Sequence, residues 1–156
     1  MCYNIKYKNS NQKGAMNVTI ENLKENIISN EDVLKILKYS HFNPTKEKLS
    51  KLTENYHKNE DVFPFASFNG DNISGIIVVQ MINNGNYEII DIAVDENYRG
   101  QGIASKLIDH IIEKLDIKTL FAETDDDAVG FYEKYGFKIK IIKNKEYTRY
   151  KCTLSL

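Results

Sequence analysis

The chain has 156 residues, of which 42 % are hydrophobic and 28 % are charged, and its net charge is −1. This length and composition favour one globular domain with a substantial core and exclude a disordered or fibrous chain. Because the net charge is close to zero, no global field attracts nucleic acid or an anionic membrane, and neither is expected as a partner.

Cysteine content and hydropathy exclude further classes of protein. Cys2 and Cys152 are too few for a disulfide framework, and no Cys or His cluster has the spacing of a zinc site, so no metal is expected. No apolar run approaches the roughly 18 residues of a membrane span, and the N-terminus lacks the apolar stretch of a signal peptide. We therefore expect a cytoplasmic protein whose thiols are reduced and unreactive.

The N-terminal part of the chain predicts one strand and two helices. Residues 1–15 are polar and lack acidic side chains, and we expect a flexible extension there, ahead of a single domain at residues 16–156. Apolar and polar residues alternate from Val18 and predict a short first strand. A helix is expected after the capping sequence at residues 29–32, and a second helix follows the break at residues 43–45.

The middle and the end of the chain complete a mixed α/β pattern. Two turns rich in Asn and Gly separate three strands, an arrangement that predicts an antiparallel meander over Val62 to Phe68, Ile73 to Met81 and Tyr87 to Val94. Pro64 has no N–H and so indicates an edge position or a bulge. The later elements are expected to be a helix from Gly102 to Leu115, a strand from Thr119 to Ala122, a helix from Asp126 to Tyr135, and a hairpin whose turn is at residues 143–145.

The segment from Ile89 to Ser105 combines a buried strand, a polar turn with two glycines and an amphipathic helix. Gly100 and Gly102 leave the backbone open to close approach. The first N–H groups of the helix are unpaired and lie at the positive end of its dipole, so an anion of pyrophosphate size fits there, with the Arg99 charge beside it. The alternative is an ordinary strand-to-helix turn in which the glycines serve packing. A Walker-type loop is absent, and Ser105 replaces the last glycine of a dinucleotide fingerprint.

Two motifs resemble those of the GNAT acetyltransferase superfamily. The first, similar to R/Q-x-x-G-x-G/A, is Arg99-Gly100-Gln101-Gly102-Ile103-Ala104. The second, similar to A-x-x-F-Y-x-K-x-G-F, is Ala128-Val129-Gly130-Phe131-Tyr132-Glu133-Lys134-Tyr135-Gly136-Phe137. The resemblance covers about residues 17–156 and implies a GNAT-like α/β fold with a central, mostly antiparallel twisted sheet flanked by about four helices. It also implies acetyl-CoA as the co-substrate.

The resemblance further implies which residues hold coenzyme A. Backbone atoms of the strand would pair with the pantetheine arm at Ile92, Ala93 and Val94. The pyrophosphate would lie on Arg99, Gly100, Gln101, Gly102, Ile103 and Ala104, with Ser105 beside it. Relatives commonly have Asn where Asp125 stands here, and an ionised carboxylate cannot donate a hydrogen bond, so capping of the next helix is the alternative role for Asp125. Phe131 either packs on the cofactor or belongs to the core.

Acyl transfer to an amine needs a neutral amine, a stabilised oxyanion and a protonated leaving thiolate. A primary amine has a pKa of about 10.4, so roughly one molecule in a thousand is neutral at pH 7, and a carboxylate is expected to take its proton directly or through water. Backbone N–H groups near Val94 could stabilise the oxyanion. Tyr132, which stands at the family's tyrosine position, is the expected acid, and its alternative role is that of a core tyrosine.

Glu88 is the expected base, because some GNAT enzymes place a catalytic glutamate on this strand. By alternation it should share a face with three apolar residues, Ile90, Ile92 and Val94. The alternative is a glutamate in water at the strand end. Asp91, expected on the opposite face, and Glu123, on the next strand, are rival bases.

The sequence thus predicts an N-acetyltransferase that moves the acetyl group of acetyl-CoA onto a primary amine of a small molecule or peptide by direct attack in a ternary complex. The acceptor pocket is expected between the early helices and the final hairpin, with candidate lining residues Tyr39, His41, Phe42, Tyr56, His57 and Phe63. The alternatives are a non-catalytic acyl-CoA-binding sensor or partner module of the same fold, and a nucleotide- or NAD-binding protein. Because GNAT relatives are often dimers, a homodimer is a candidate assembly.

Overall fold

The structure is a computed structural model that describes residues 17–143 and 146–156. The flexible extension expected at residues 1–15, including Cys2, lies outside the described residues, and so does most of the turn expected at residues 143–145. Lys143 itself ends a strand.

Seven strands form one sheet in the order β1-β2-β3-β4-β5-β7-β6, and every neighbouring pair is antiparallel except β4–β5. The strands are β1 (Val18–Asn22), β2 (Val62–Asn69), β3 (Asn72–Asn83), β4 (Asn86–Val94), β5 (Thr119–Thr124), β6 (Lys138–Lys143) and β7 (Thr148–Ser155). The helices are α1 (Glu31–Leu37), α2 (Lys46–Lys58), α3 (Ile103–Lys114) and α4 (Val129–Tyr135), with short 3-10 turns at Lys38–Ser40 and Glu96–Tyr98. The expected mixed α/β architecture with a mostly antiparallel sheet is confirmed.

Two apolar cores lie on opposite faces of this sheet. One joins α3 and α4 to the sheet and contains Leu107, Ile111 and Tyr132. The other joins α1 and α2 to the sheet and contains Leu37 and Tyr56. Successive residues of β3 alternate between the two cores, as the two-residue period of a strand requires. Below, these faces are called the α3–α4 face and the α1–α2 face.

Several element boundaries differ from the predicted ones, and two of the differences have a local cause. The helix predicted from Asp126 begins at Val129, because the Asp125 carboxylate accepts the N–H groups of Asp127 and Ala128 and holds the chain in a turn. The strand predicted to end at Ala122 continues to Thr124, because two further residues of β5 pair with β7.

Pro64 lies in an interior strand, one residue before the part of β2 that pairs with β1, and its carbonyl oxygen accepts the N–H of Leu23 at 2.9 Å. β1 pairs with β2 only as far as Asn22 and Phe65. Pro64 pairs with Val78 of β3 on the other side, so its missing N–H interrupts no ladder. The expected edge-like position is therefore present locally.

A β-bulge in β4 corrects the expected facing of its side chains. Val79 pairs with Ile89 while Val78 pairs with Asp91, so Ile90 is an extra residue and the alternation shifts by one. Ile89 before the bulge and Ile92 after it therefore both pack on the α3–α4 face.

The expectation that Glu88 shares a face with Ile92 and Val94 is wrong, since both of these pack on the α3–α4 face. Ile90, two residues after Glu88, packs on the α1–α2 face. The expectation that Asp91 lies opposite Glu88 is wrong for the same reason, because the Asp91 side chain meets Tyr56 of α2.

The sheet opens between β4 and β5. The two strands pair in parallel only from Asn86 with Thr119 to Ile89 with Ala122. Beyond Ile89, no strand among the described residues pairs with the edge of β4 that would face β5. This opening lies shortly before the turn that leads to α3 and leaves backbone groups of β4 without a strand neighbour on that side.

Candidate active site

A cavity of about 950 Å³ lies on the α3–α4 face, next to the opening in the sheet. Its walls come from β4, from the turn and first residues of α3, and from α4. The sequence-predicted residues that line it are Ile92, Ala93, Val94, Arg99, Gly100, Gly102, Ile103, Ala104, Ser105, Phe131 and Tyr132. One continuous wall therefore contains most of the residues that the two motifs marked.

The turn before α3 is open and its helix is uncapped. Gly100 and Gly102 have φ angles of +74° and +78°, a left-handed conformation that side chains other than glycine rarely adopt. A Cβ atom built on either glycine meets nothing within 4 Å. No side chain caps α3 at Gly102, so the amides of its first turn remain available to an anion.

Arg99 is exposed, but it does not project freely from the turn. Its Nε donates to the carbonyl oxygen of Val94 at 3.3 Å, and its guanidinium lies 4.8 Å from the ring centroid of Tyr39. These contacts hold its positive charge beside the open turn. Gln101 is not among the residues that line the cavity, and its side-chain amide donates to the carbonyl oxygen of Asn97.

Asp125 and Phe131 are placed differently with respect to the cavity. The Asp125 side chain is exposed, and its carboxylate accepts the N–H groups of Asp127 and Ala128 at 3.1 and 3.3 Å. Asp127 and Ala128 line the cavity and Asp125 does not, so its geometry is that of a turn cap. Phe131 lines the cavity and also packs edge-on against Tyr132.

Tyr132 is held by packing, while its hydroxyl remains without a partner. The residue is 4 % exposed, and its ring packs edge-on against Phe137, with 5.2 Å between centroids. Among the described residues the hydroxyl makes no hydrogen bond, although Tyr132 lines the cavity. Burial, and then the nearby Cys152 and Asp91, raise the pKa of this phenol, so it stays protonated at neutral pH and can donate.

Cys152 is a buried free thiol behind Tyr132. Burial raises its pKa above the ordinary value, so the residue remains a neutral thiol in the core.

The carboxylates proposed as bases lie away from this cavity. Glu88 is half-buried and stands opposite Phe121 in the paired part of β4 and β5. Together with Glu123 and Lys151 it lines a separate groove of about 390 Å³. The Lys151 ammonium lies over the Phe121 ring, 4.9 Å from its centroid.

Asp91 is the most enclosed carboxylate near the opening. It is 4 % exposed, and its oxygens accept hydrogen bonds from the hydroxyls of Ser40, at 2.9 Å, and Tyr56. Nε2 of His41 lies 2.8 Å from the same oxygen that Ser40 contacts, without the alignment of a well-formed hydrogen bond. This polar contact with Asp91 raises the pKa of His41 against the opposing effect of its partial burial.

His41 and Tyr56 are predicted from the sequence as lining residues of one acceptor pocket, but no pattern in the sequence joins Asp91 to them. Helical and strand periods place residues on faces, whereas this group depends on the bulge in β4 and on the path of the 3-10 turn after α1. The other acceptor-pocket candidates are not gathered with them. His57 contacts the carbonyl oxygen of Lys24, Phe63 packs against Tyr87, and Phe42 is 93 % exposed.

Within residues 17–143 and 146–156, no helix is both long enough and apolar enough to cross a bilayer. The same part of the chain contains no group of three or more His, Cys, Asp or Glu side chains arranged to bind a metal ion.

Comparison with known proteins places this geometry in a family. A profile of the acetyltransferase (GNAT) family matches residues 30–137. An uncharacterized N-acetyltransferase, YvbK, from Bacillus subtilis (strain 168) is 29 % identical over 94 residues, which are 55 % of this chain and 59 % of that protein. The chain therefore matches less than two thirds of the length of this relative.

Solved structures share the fold at low sequence identity. The ribosomal-protein-S18-alanine N-acetyltransferase from Escherichia coli has a TM-score of 0.72 and 23 % identity, over 88 % of this chain and 93 % of that one. An aminoglycoside 6'-N-acetyltransferase in complex with coenzyme A has a TM-score of 0.76 and 15 % identity, over 88 % and 96 %. Because the family profile covers well over half of the sequence, the chain belongs to the GNAT acetyltransferase family.

Proposed function

We propose that residues 16–156 form one N-acetyltransferase domain that transfers the acetyl group of acetyl-CoA to a primary amine of a small molecule or peptide. The amine attacks directly, with both substrates bound. One observation carries the proposal: the edge of β4 left unpaired by β5 is followed, after a short turn, by an uncapped helix start whose two left-handed glycines leave the backbone bare.

The residues present fit coenzyme A along the whole wall. Backbone groups at residues 92–94 that β3 does not bind can pair with the amides of an extended pantetheine arm, much as a strand would; of these residues, the carbonyl oxygen of Val94 also accepts from Arg99. The first-turn amides of α3 and the Arg99 guanidinium suit the pyrophosphate, since an anion at a helix N-terminus meets unpaired N–H groups and the positive end of the dipole. Phe131 offers an apolar surface in the same cavity.

The names of relatives support the same reaction class. The E. coli relative acts on the alanine of a ribosomal protein, and the aminoglycoside enzyme is solved with coenzyme A. Both acceptors named there are amines, one on a protein and one on a small molecule, so the acceptor class remains a small-molecule or peptide amine.

When bound, acetyl-CoA supplies the acyl carbon and a thiolate leaving group. Tyr132 is the proposed acid, because it lines the cavity and its phenol, which makes no hydrogen bond among the described residues, stays protonated at neutral pH. Backbone N–H groups on the open edge of β4 are the proposed donors to the oxyanion. The acceptor amine approaches from the α1–α2 face, where Glu88, Asp91 and Glu123 are the candidate carboxylates for taking its proton.

The test combines binding and turnover. Calorimetry should show saturable coenzyme A binding, and a panel of primary amines with acetyl-CoA should show amine-dependent thiol release. Tyr132→Phe should keep the affinity for coenzyme A and lower thiol release at least tenfold. The matched control is Tyr147→Phe, which alters an exposed tyrosine, 58 % accessible, outside the cavity.

Binding without turnover for every amine class would instead support the non-catalytic acyl-CoA-binding module. Protection of the fold by NAD or ATP, but not by coenzyme A, would contradict both readings.

A further inference from the structure

The polar cluster on the α1–α2 face lies where the sheet opens. Asp91 is the second residue beyond the last β4 position that pairs with β5, and its side chain is 2 % exposed. Ser40 and His41 approach one of its oxygens, and Tyr56 donates to the other. A carboxylate with three such neighbours is well oriented, but little of it is left to meet a substrate. Asp91 can therefore affect the reaction only by acting on a side chain that it contacts.

His41 is the neighbour that reaches solvent. Its side chain is 31 % exposed, whereas its Nε2 atom is buried against Asp91. Among the described residues, Nδ1 makes no hydrogen bond. When Nε2 carries the proton of the neutral ring, as a facing carboxylate favours, Nδ1 has the free lone pair. The result is a proton acceptor directed away from Asp91.

We propose that His41, oriented by Asp91, takes the proton from the acceptor amine. This inference rests on the proposed function and replaces Glu88 as the base of that reaction. His41 is the catalytic residue in this scheme, and Asp91 is a positioning residue that acts through it. The arrangement follows the general pattern of a base held in one tautomer by a buried carboxylate.

The step balances without any further reactant. The amine nitrogen forms its bond to the acyl carbon as the carbon–sulfur bond breaks, and its proton goes to Nδ1 of His41. Tyr132 gives its proton to the departing sulfur. The products are an amide and the coenzyme A thiol, and transfer of the His41 proton through water to the Tyr132 phenolate restores both side chains.

Two observations place His41 near the reacting centre. Tyr39, two residues before it, packs under Arg99 at the proposed pyrophosphate site. Tyr132 lines the cavity next to the opening, and Asp91 lies two residues beyond the last β4 position that pairs with β5, so the proposed acid and the base cluster both lie at this opening. Glu88 lies three residues before Asp91 in β4, where that strand is still paired with β5.

The ionisable groups around His41 come from three elements. Asp91 of β4 contacts it directly, Tyr56 of α2 contacts the same carboxylate, and Tyr132 of α4 lines the cavity next to the opening. Burial and Asp91 raise the pKa of Tyr56 far above its ordinary value, so that phenol stays neutral throughout the working range. Among the groups of the protein, the ionisation expected in the pH profile near neutrality is therefore that of His41. The acceptor amine, with a pKa of about 10.4, adds a separate rise at higher pH.

The experiment is the pH dependence of kcat/KM for amine-dependent thiol release. In the wild type it should rise through the ionisation of His41, and that ionisation should match the one measured on the His41 ring by NMR. His41→Gln should lower kcat by about a hundredfold or more at neutral pH while affinity for coenzyme A is retained. The rising limb of the kcat/KM profile that belongs to His41 should disappear in this variant. Added imidazole should restore part of the lost rate.

Asp91→Asn tests the positioning role through the ring itself. The pKa of His41 should fall in this variant, and the kinetic limb should move with it. His110→Gln is the matched control, because His110 lies on α3 against Phe65, outside the site, and its loss should leave the limb in place.

Several outcomes would overturn the inference. One is an unchanged rate and pH profile in His41→Gln, and another is loss of the limb in Glu88→Gln alone. The inference would also be overturned if, in the wild type, the pKa from the kcat/KM profile differed from the pKa of the His41 ring measured by NMR. In each of these cases the wild type still turns over, so the proposed function stands. A wild type that binds coenzyme A without turnover would contradict the function itself.

Discussion

The guanidinium of Arg99 lies 4.8 Å from the centroid of the Tyr39 ring, and this stack joins the two sides of the site. Arg99 belongs to the turn before α3, whereas Tyr39 belongs to the 3-10 turn after α1. The next two residues, Ser40 and His41, contact Asp91. One short segment thus contacts the proposed pyrophosphate site and also contains His41, the proposed base.

Removing the Tyr39 ring should weaken binding of coenzyme A. An exposed cation–π contact is worth about 0.5–1 kcal/mol, so Tyr39→Ala should lower affinity by roughly two- to fivefold in calorimetry. Tyr39→Phe retains the ring and should bind as the wild type does. Equal loss in both variants would show that the hydroxyl, rather than the ring, is what matters.

Substitution of Gly102 should separate binding from stability. Gly102→Val gives a β-branched residue a φ of +78°, which should lower the free energy of unfolding by about 1–2 kcal/mol. It also places a side chain beside the uncapped amides of α3. Affinity for coenzyme A should fall at least tenfold. Gly70→Val is the matched control, since Gly70 also has positive φ, at +60°, and open space around its Cβ. Gly70→Val should lower the free energy of unfolding by a similar amount but keep its affinity for coenzyme A. A Gly102→Val protein that is folded and binds coenzyme A normally would contradict a pyrophosphate site at the start of α3.

Lys24 should stabilise the junction between α2 and β2. Its ammonium donates to the carbonyl oxygens of Tyr56, Asn59 and Val62, two of them at 2.7 and 2.8 Å. Because hydrogen bonds from charged groups contribute about 1.5–3 kcal/mol, Lys24→Met should lower the free energy of unfolding by roughly 2 kcal/mol in urea denaturation. Lys51→Met removes only an exposed pair with Glu47 and should cost below about 0.5 kcal/mol. Similar losses in the two variants would refute this role.

The His41–Asp91 contact should also appear in the pH dependence of stability. The folded pKa of His41 is raised above the ordinary 6.5, so its stabilising contribution is complete below that pH and disappears as the pH rises through the folded value. The difference in unfolding free energy between wild type and His41→Gln should therefore be larger at about pH 5.5 than at about pH 8.5.

His110 should show the opposite sign. Burial, followed by Lys114, lowers its folded pKa, so the folded state resists its protonation and loses stability as the pH falls. His110→Gln should relieve that loss at low pH. Parallel behaviour of the two histidine variants would indicate that neither environment is as described.

Local sequence rules predicted the elements and the cofactor wall because both depend on near neighbours in the chain. The helical spacing from Ile103 to Ile111 marks the buried face of α3, and Gly100 with Gly102 marks the bare turn. The start of α4 was predicted three residues early, because Asp125 caps a turn before the helix rather than the helix itself.

The acceptor side was not predictable in the same way. A single extra residue, Ile90, reverses the facing of everything after it in β4, and no local signal in the sequence announces that bulge. Gly75 was missed as well: a Cβ there would lie 2.8 Å from a side-chain carbon of Ile103, so this glycine lets α3 begin close against β3. Both features depend on contacts between distant parts of the chain.

A backbone-amide NMR titration with coenzyme A tests directly whether the edge of β4 and the start of α3 bind the cofactor. On binding of coenzyme A, the largest chemical-shift changes should fall on the amides from Gly102 to Ser105 and on those from Ile92 to Val94. If these amides stay unperturbed while coenzyme A saturates a site elsewhere, the open edge of β4 and the bare start of α3 do not hold the cofactor.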